Sequence, residues 1–315
     1  MTTRKLFAPV VALMALWILP FRAAPQSKPD QPGSVIRVSS NLVAVPVLVL
    51  DPAGRPVLDL SVADFRVEKD GQAQKIVRLG EPGATPIELA LLVDVSGSVR
   101  DRLTFEQQAA AAFLREVLRP VDSVTVFSVG LEPKLVQART SKVDEAVAAV
   151  MKLEPTKEAT AFYRSLVEAA SYLARAGNPG ARRVLVVISD GEDNHSEEIR
   201  FADAQHALLR DDCMFYSINP GGKSIELNVI ASRAQQQMAD LASEIGGAFV
   251  VGSHEQFPAV FRRIVAELRA QYMLGFYFTD ERTDGGFREI AVQVPTRPEL
   301  RVRARQGYYA PQGSW

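Results

Sequence analysis

Apolar runs and helically spaced apolar positions alternate through the middle of the chain. Five apolar runs predict buried strands, at residues 89–93, 123–129, 184–189, 214–218 and 248–251. Between them, apolar residues recur every three or four positions, as over 143–151 and 257–268, which predicts amphipathic helices. Gly246-Gly247 predicts the end of the helix before the last strand. Strands that alternate with helices are typical of a parallel sheet covered on both faces, so we expect an α/β domain over residues 87–269.

The two ends of the chain show a different pattern, in which short β-rich runs are separated by turn residues. Residues 35–86 contain the turn composition Asp51-Pro52-Ala53-Gly54 and the dipeptide Asp70-Gly71, which favours a tight β-hairpin. Residues 270–311 contain about three further strand-like runs. A thin sheet from either block alone would expose an apolar face. We therefore predict one small antiparallel β-sandwich built from both blocks. The doubly wound, mostly parallel α/β domain is inserted between them.

Residues 1–24 have the pattern of an export signal, because Arg4 and Lys5 precede the almost wholly apolar segment Leu6 to Leu19. Arg22 stands where a cleavage site prefers a small residue, which leaves a retained N-terminal anchor as the alternative. The apolar run is shorter than the roughly 20 residues that a membrane-spanning helix needs. We expect a linker over residues 25–34 and an exported chain, periplasmic or extracellular, without a membrane span unless the signal is retained.

The charge balance is close to neutral, with 36 Lys and Arg against 37 Asp and Glu, and gives no electrostatic reason to expect nucleic acid as a partner. Cys213 is the only cysteine, so no intrachain disulfide or cysteine-based zinc cluster can form, and its apolar neighbours predict a buried thiol. Arg301, Arg303 and Arg305 alternate along a predicted strand. We interpret them as a solvated face, with a basic binding stripe as the alternative. Structural or surface roles are expected for the three histidines, which show no metal-ligand spacing: His195, His206 and His254.

Hard oxygen donors follow two of the predicted strands. Asp94, Ser96 and Ser98 come after the first apolar run, and Asp190 comes after the third. Ligands of open α/β sheets bind beyond the carboxyl ends of strands where the strand order reverses, so these side chains meet if the two strands are neighbours. Thr160, at a predicted helix start, would add another hydroxyl. Such a donor set suits a small hard cation, Mg²⁺ first, with Mn²⁺ or Ca²⁺ as alternatives.

An ion held partly through water would keep positive charge and an open coordination position. A carboxylate from a partner protein would fill that position. Asp and Ser at strand-to-helix turns also commonly cap the following helix, and this capping role is the alternative to metal binding. We interpret Glu192, Asp193 and Asn194 as turn residues rather than ligands.

Taken together, the pattern Asp-x-Ser-x-Ser after a buried strand, a Thr before a helix and Ser-Asp-Gly after a later strand resembles the von Willebrand factor type A (VWA) domain, over about residues 87–268. The resemblance implies a Rossmann-like fold and a metal-ion-dependent adhesion site (MIDAS). Its residues carry over as Asp94, Ser96, Ser98, Thr160 and Asp190. It further implies that Asp190 acts on the ion through water. The flanking segments resemble a bacterial group of exported proteins with such a domain.

The chain departs from this group in the loop before Thr160, where Glu158-Ala159 replace the usual glycines. This loop is therefore less free to take positive φ, and it brings an extra carboxylate near the ion. Asp101 matches one acidic position of the adjacent calcium site in integrin β subunits, but no other ligands of that site are visible in the sequence. We accordingly expect a single metal site.

The sequence favours an exported, metal-dependent protein-interaction module that captures an acidic side chain, and not an enzyme. One alternative is a phosphoryl-transfer enzyme, because the loop after Asp94 superficially resembles that of haloacid-dehalogenase-like phosphatases. Their second aspartate, the general acid, is Ser96 here, and a serine cannot donate that proton near neutral pH. The chain also lacks the Gly-x-Ser-x-Gly elbow of serine hydrolases. A further alternative is a structural envelope component whose metal site takes no ligand.

Overall fold

The computed structural model describes residues 42–220, 229–252, 254–277 and 284–310, apart from the side chains of Ser98 and His254. The predicted export signal (1–24) and linker (25–34) lie outside the described residues, as does the start of the first predicted β block. Those parts of the sequence interpretation therefore stay predictions.

Fourteen strands and six α-helices are described. The strands are β1 (Leu42–Leu50), β2 (Arg66–Lys69), β3 (Gln72–Gln74), β4 (Ile76–Gly80), β5 (Ile87–Asp94), β6 (Ser123–Val129), β7 (Lys134–Thr140), β8 (Arg182–Ile188), β9 (Cys213–Asn219), β10 (Ala248–Val251), β11 (Tyr272–Tyr277), β12 (Phe287–Gln293), β13 (Arg301–Ala304) and β14 (Gly307–Tyr309). The helices are α1 (Leu103–Val117), α2 (Val143–Met151), α3 (Phe162–Ala176), α4 (Phe201–Arg210), α5 (Val229–Ile245) and α6 (Phe257–Arg269).

The central sheet has six strands in the order β10-β9-β8-β5-β6-β7. All neighbours pair in parallel except β7, which runs antiparallel to β6 at the edge. Strand β5 lies between β8 and β6, so the chain order reverses beside β5. This reversal sets the carboxyl ends of β5 and β8 next to each other, which is the arrangement that the predicted site requires.

Strand β5 is apolar throughout because both of its faces are covered by helices. Leu89, Leu91 and Val93 belong to the core layer that includes α1 and α6. Ala90 and Leu92 belong to the opposite layer, which includes α3 and α4. The uninterrupted apolar run in the sequence therefore reflects burial on two sides, as expected for a doubly wound sheet.

Both ends of the chain contribute to a β-sandwich. One sheet has the order β13-β1-β11-β4 and the other β14-β12-β2-β3, so each combines strands from before and after the central domain. Val45 and Leu274 from the first sheet share one apolar core with Val67 and Ile290 from the second. The predicted fold class is thus confirmed, whereas the residue boundaries proposed for the domains stay predictions.

Two predicted turns use backbone conformations that favour particular residues. Asp70 and Gly71 have φ angles of 49° and 75°, and they connect β2 to β3 directly, with Lys69 paired to Gln72. Positive φ at both central residues is the requirement of a type I′ hairpin turn, which explains the Asp-Gly dipeptide. Gly246 follows α5 with φ at 86°, so it ends this helix as predicted.

The interpretation of the alternating arginines as one solvated face is wrong for two of the three. Arg303 forms an ion pair of 2.6 Å with Glu267 of α6. Arg305, just beyond β13, is buried and pairs with Asp212, which precedes β9. Only Arg301 is exposed. The alternation alone does not reveal this, because the acidic partners come from distant parts of the chain and reach β13 only through the tertiary fold.

Strand β7 was not among the predicted strands. Its seven residues are mostly exposed, so the strand lacks the apolar run or regular alternation that reveals buried strands. Cys213 is buried and free, as expected. No helix in the described ranges combines the length and apolar character needed to cross a membrane.

Candidate metal centre

The first loop of the site follows β5, whose last residue is Asp94. The Asp94 carboxylate is fully buried and accepts hydrogen bonds from Ser189 Oγ at 2.7 Å and from the Ser96 backbone N–H at 2.8 Å. Ser96 is also buried and begins a short 3₁₀ turn, Gly97–Val99. Backbone contacts therefore fix the loop around the buried carboxylate. Ser98 lies in this turn, but its side chain is outside the described atoms.

The second loop carries Thr160 and is tied to the first by Thr156. The backbone N–H of Thr156 donates to the carbonyl of Val95 at 2.6 Å, and its hydroxyl donates to the same oxygen at 3.1 Å. Gly97 faces the backbone of Lys157 closely, since a Cβ on this glycine would lie 3.7 Å from Lys157 Cα. The loop that leads to Thr160 therefore packs directly on the Asp94 loop.

Thr160 itself is buried and is held by the loop that follows β8. Its N–H donates to Asn194 Oδ1 at 2.7 Å, and its carbonyl accepts the N–H groups of Asn194 at 3.0 Å and His195 at 3.1 Å. These bonds position Thr160 even though Glu158-Ala159 replace the glycines usual at this point. Glu158 itself is exposed.

The third loop begins with Ser189 and Asp190 at the end of β8. Ser189 Oγ accepts the Gly191 N–H at 3.0 Å while it donates to Asp94, so this hydroxyl joins the two strand ends. Gly191 has a φ of 80°, and a Cβ here would lie 2.5 Å from the sulfur of Met238 in α5. Only glycine satisfies both the left-handed backbone and the close approach of α5.

Burial and neighbouring negative charges both raise the pKa values of carboxyl groups at the site. Burial raises the pKa of Asp94 and Asp190 adds to this effect, while hydrogen bonds from Ser189 and Ser96 oppose it. Burial also raises the pKa of Glu192, with further contributions from Asp190 and Asp94. These acidic groups lie close enough to destabilise one another's charge, and a bound cation would relieve that repulsion.

Glu106, in the first turn of α1, is a fourth acidic group in electrostatic reach of this site. Burial raises its pKa to about 7, with Asp94 and Asp190 adding to the shift and Arg102 opposing it. Its side chain is 1% exposed; Oε1 accepts a hydrogen bond from Arg102 at 3.3 Å, whereas Oε2 has no hydrogen-bond partner among the side chains and backbone that the structure describes. A buried carboxylate oxygen without a donor also indicates an environment suited to a cation.

The predicted donors fit a hard divalent ion in chemical type. Asp94 and Asp190 supply carboxylate oxygens, and Ser96 and Thr160 supply hydroxyls, all from loops that the hydrogen bonds above connect. Among the described side chains, no three His, Cys, Asp or Glu residues are arranged as a metal-binding group. A site here would therefore depend on hydroxyl and water oxygens beside its two carboxylates.

The sequence interpretation missed three residues that hold the loops in place. Ser189 and Asn194 do so through the bonds to Asp94 and Thr160 described above. Asp193 Oδ1 accepts the N–H of Tyr163 at 3.1 Å in the first turn of α3, and it also pairs with Ser196. The cluster Asp193-Asn194 after Ser-Asp-Gly was a visible signal of a structured turn. Its partners, however, lie about 30 residues earlier in the chain.

The family model of the von Willebrand factor type A domain matches residues 89–192. This range contains all five candidate ligands, Asp94, Ser96, Ser98, Thr160 and Asp190, so the match places a VWA-type domain in this part of the chain. No curated protein matches the chain.

Several solved structures are similar to this chain. They include the conserved hypothetical protein BatB from Bacteroides thetaiotaomicron, with 18% identity over 56% of this chain and 97% of that chain and a TM-score of 0.46. An aerotolerance-related membrane protein from Bacteroides fragilis has 18% identity over 58% of this chain and 98% of its own, also with a TM-score of 0.46. Proximal thread matrix protein 1 from the mussel byssus, solved with a zinc-occupied MIDAS motif, has 13% identity over 64% of this chain and 50% of its own, with a TM-score of 0.50. At these identities the likeness concerns the fold alone.

Proposed function

We propose that this chain is a metal-dependent protein-interaction module that captures an acidic side chain of a partner protein. The observation that carries the proposal is the surroundings of Asp94. Its carboxylate is fully buried at the reversal point of the sheet, and burial, with a smaller contribution from the charge of Asp190, raises the pKa of Asp94. Two neighbouring carboxylates lower the stability of the folded protein when no cation is bound, and they favour the binding of a cation.

The proposed ligand set is Asp94, Ser96, Ser98, Thr160 and Asp190, with Mg²⁺ as the ion and Mn²⁺ or Ca²⁺ as substitutes. A bound ion of this kind would supply an open coordination position for a carboxylate oxygen. The role of the protein would be to position the oxygen donors around the ion. Ser189 orients Asp94 through the bond of 2.7 Å, and Asn194 holds the backbone of Thr160. Burial of Asp94 keeps competing water away from the oxygens beneath the ion.

Binding is a better explanation of this site than phosphoryl transfer. The position of the general acid in haloacid-dehalogenase-like phosphatases is Ser96, whose hydroxyl cannot serve as a proton donor near neutral pH. The N–H of Ser96 is already engaged with Asp94. We therefore propose a non-enzymatic role, in an exported protein whose signal is residues 1–24.

Metal binding is tested by the thermal stability of the full chain without its signal. An ion that binds only the folded state stabilises it by about 2.7 kcal/mol at a hundredfold excess over its Kd. We expect Mg²⁺ or Mn²⁺ to raise the Tm by about 5 to 10 °C. Asp94→Asn should abolish the rise, whereas Asp101→Asn, which changes an exposed carboxylate nearby, should retain all of it. No rise in the unaltered protein would favour helix capping as the role of these residues.

Partner capture is tested by a pull-down from the native cell envelope with Mg²⁺ or with chelator. We expect a protein that is retained only with Mg²⁺ and only by a bait with intact Asp94. A partner retained equally by the Asp94→Asn bait would mean that binding occurs elsewhere on the chain. Metal binding with no such partner would favour a structural envelope component.

A further inference from the structure

A groove lies beside the third loop of the metal site, and we define it as the side groove. Its volume is about 710 Å³, and Gly191, Glu192 and Asp193 line the side toward Asp190. The remaining wall is mainly apolar or aromatic and includes Tyr163, Ile199, Phe201, Val229 and Ile230. Pockets that bind small ligands or large side chains commonly have volumes in this range.

The apolar side chains of the side groove are unusually open to solvent. Val229 is 85% exposed and Ile230 is 65% exposed at the start of α5, although both are large aliphatic residues. Tyr163 and Phe201 are half-buried and contact each other edge to face, with ring centroids 6.1 Å apart. A cluster of exposed apolar side chains next to a polar site is typical of an interaction surface.

The side groove and the metal loop form one continuous surface. Met238 of α5 packs on Gly191, and Gln237 of α5 accepts a hydrogen bond of 2.8 Å from the Tyr163 hydroxyl of α3. The middle of α5 therefore rests on the loop that carries Asp190. Since Asp193 is three residues beyond Asp190, the groove begins within roughly 10 Å of the metal site.

Arg233 gives the groove a positive outer side. It is exposed and lies one turn after Val229 and Ile230, so it shares their face of α5. No carboxylate in the described part of the chain forms an ion pair with it, in contrast to the paired Arg303 and Arg305. An exposed guanidinium beside an apolar surface is suited to an acidic group of a partner.

We propose that the side groove binds a large apolar side chain of the same partner segment whose carboxylate occupies the metal site. This inference rests on the proposed function and specifies its partner. The segment carries an acidic residue, a large aliphatic or aromatic residue about three positions away, and a second acidic residue beyond it that pairs with Arg233. The partner is thus recognised by two chemically different contacts, of which only the first requires the ion.

The test uses short synthetic peptides displayed on a surface, each with one Glu in a Gly/Ser background, and a further set that adds a second Glu beyond the apolar residue. In half of them a Phe or Leu stands at varied distances from the Glu. Binding of the full chain without its signal is measured with Mg²⁺ and with chelator. We expect Mg²⁺-dependent binding of Glu peptides, about tenfold tighter when the apolar residue is about three positions from the Glu.

Variants separate the groove from the metal site. The double variant Val229→Ser/Ile230→Ser should lose the tenfold gain but keep the Mg²⁺-dependent binding of Glu-only peptides. Val121→Ser, which removes an aliphatic side chain that is 63% exposed and lies before β6 at the opposite end of the sheet, should keep both. Arg233→Gln should lose only the preference for a second acidic residue. Because the substituted side chains are exposed, all of these variants are expected to fold.

The outcomes distinguish the two proposals. If the double variant keeps the tenfold gain in peptide affinity, or the unaltered protein shows no such gain, the proposal for the side groove is wrong. Mg²⁺-dependent binding of Glu peptides would then still support the metal site. Absence of any Mg²⁺-dependent binding would overturn the proposed function and the groove with it. If the double variant changes the sedimentation of the protein but not its peptide preference, the surface is instead a contact between copies of this chain.

Discussion

Asp94 and Asp122 are both buried aspartates at strand ends of the central sheet, but they lie at opposite ends of it. Asp94 ends β5, and Asp122 directly precedes β6. Burial tends to raise the pKa of both carboxyls. At Asp94, the nearby Asp190 adds to this effect, so the pKa is raised. At Asp122, a hydrogen bond from Arg269 leads the contributions that outweigh burial, so the pKa is lowered.

The surroundings of Asp122 explain the lowered pKa. Arg269 approaches its carboxylate to 2.5 Å, and the backbone N–H groups of Ile87 and Arg119 donate to it at 2.8 Å each. Both aspartates accept hydrogen bonds, but the protein supplies a cation beside Asp122 and a second carboxylate near Asp94. Burial by itself therefore does not distinguish a structural acid from a binding one. The sign of the neighbouring charge does.

Two buried glutamates repeat this difference. Glu267 is buried where α6 contacts β13 of the β-sandwich. It forms ion pairs with Arg263 at 2.9 Å and with Arg303 at 2.6 Å. Among the described residues, Glu106 pairs only with Arg102, at 3.3 Å, and one of its carboxylate oxygens has no hydrogen-bond partner. The buried acids at the amino end of the central sheet and beside β13 are therefore paired with arginines. At the carboxyl end of the sheet, by contrast, negative charge is only partly neutralised.

The largest expected effect is on Asp122. Asp122→Asn leaves the half-buried Arg269 beside a neutral amide, and breaking a pair whose carboxylate is buried costs about 3 to 5 kcal/mol of unfolding free energy. The matched change Asp94→Asn, measured with chelator, should cost less than about 1 kcal/mol or stabilise the protein, because it removes repulsion. Denaturant unfolding of both variants checks this. Equal losses would mean that the two carboxylates have equivalent surroundings.

The next effect is a pH dependence that Glu106 confers on the metal-free protein. Because its pKa is raised from 4.5 to about 7 in the folded state, its contribution to stability is full below about pH 4.5 and is lost as the pH rises through about 7. We expect Glu106→Gln to stabilise the protein at pH 8 in chelator by roughly 3 kcal/mol and to change little at pH 4.5. Unfolding curves at both pH values measure this.

Glu267→Gln is the control for this pH effect. It should destabilise the protein at pH 8, because Arg263 and Arg303 lose their shared carboxylate. If Glu106→Gln also destabilised at pH 8, its carboxylate would be compensated by a partner.

The smallest expected effect concerns the loop that holds Thr160. Asn194→Ala removes the acceptor of the Thr160 N–H and should weaken Mg²⁺ binding about tenfold, as loss of residues that orient ligands commonly does. Stability without the ion should fall by about 1 kcal/mol. Asn178→Ala removes a similar side-chain acceptor, of the Gly180 N–H before β8, and should leave Mg²⁺ affinity unchanged. Calorimetric titration with Mg²⁺ decides between these outcomes.

Features that depend on neighbours in sequence were predictable. The apolar runs marked five strands of the central sheet, since a strand covered on both faces has no polar alternation. Asp70-Gly71 marked a hairpin, because few other pairs accept positive φ at both positions. The positions of Asp94 and Asp190 at strand ends were predictable because each follows an apolar run. The sheet order confirmed that these strand ends are neighbours.

Only the tertiary structure determined the charge partners. Nothing local distinguishes Arg301, which is exposed, from Arg305, which pairs with Asp212 some 93 residues away. Glu106 likewise reads as an ordinary helix residue until α1 packs beside β5 and buries it near Asp94. Hydrophobic period and turn conformation are set within a few residues, and the sequence determines them directly. The sign of the charge that a buried group meets depends on contacts between distant segments, so it exists only in the folded chain.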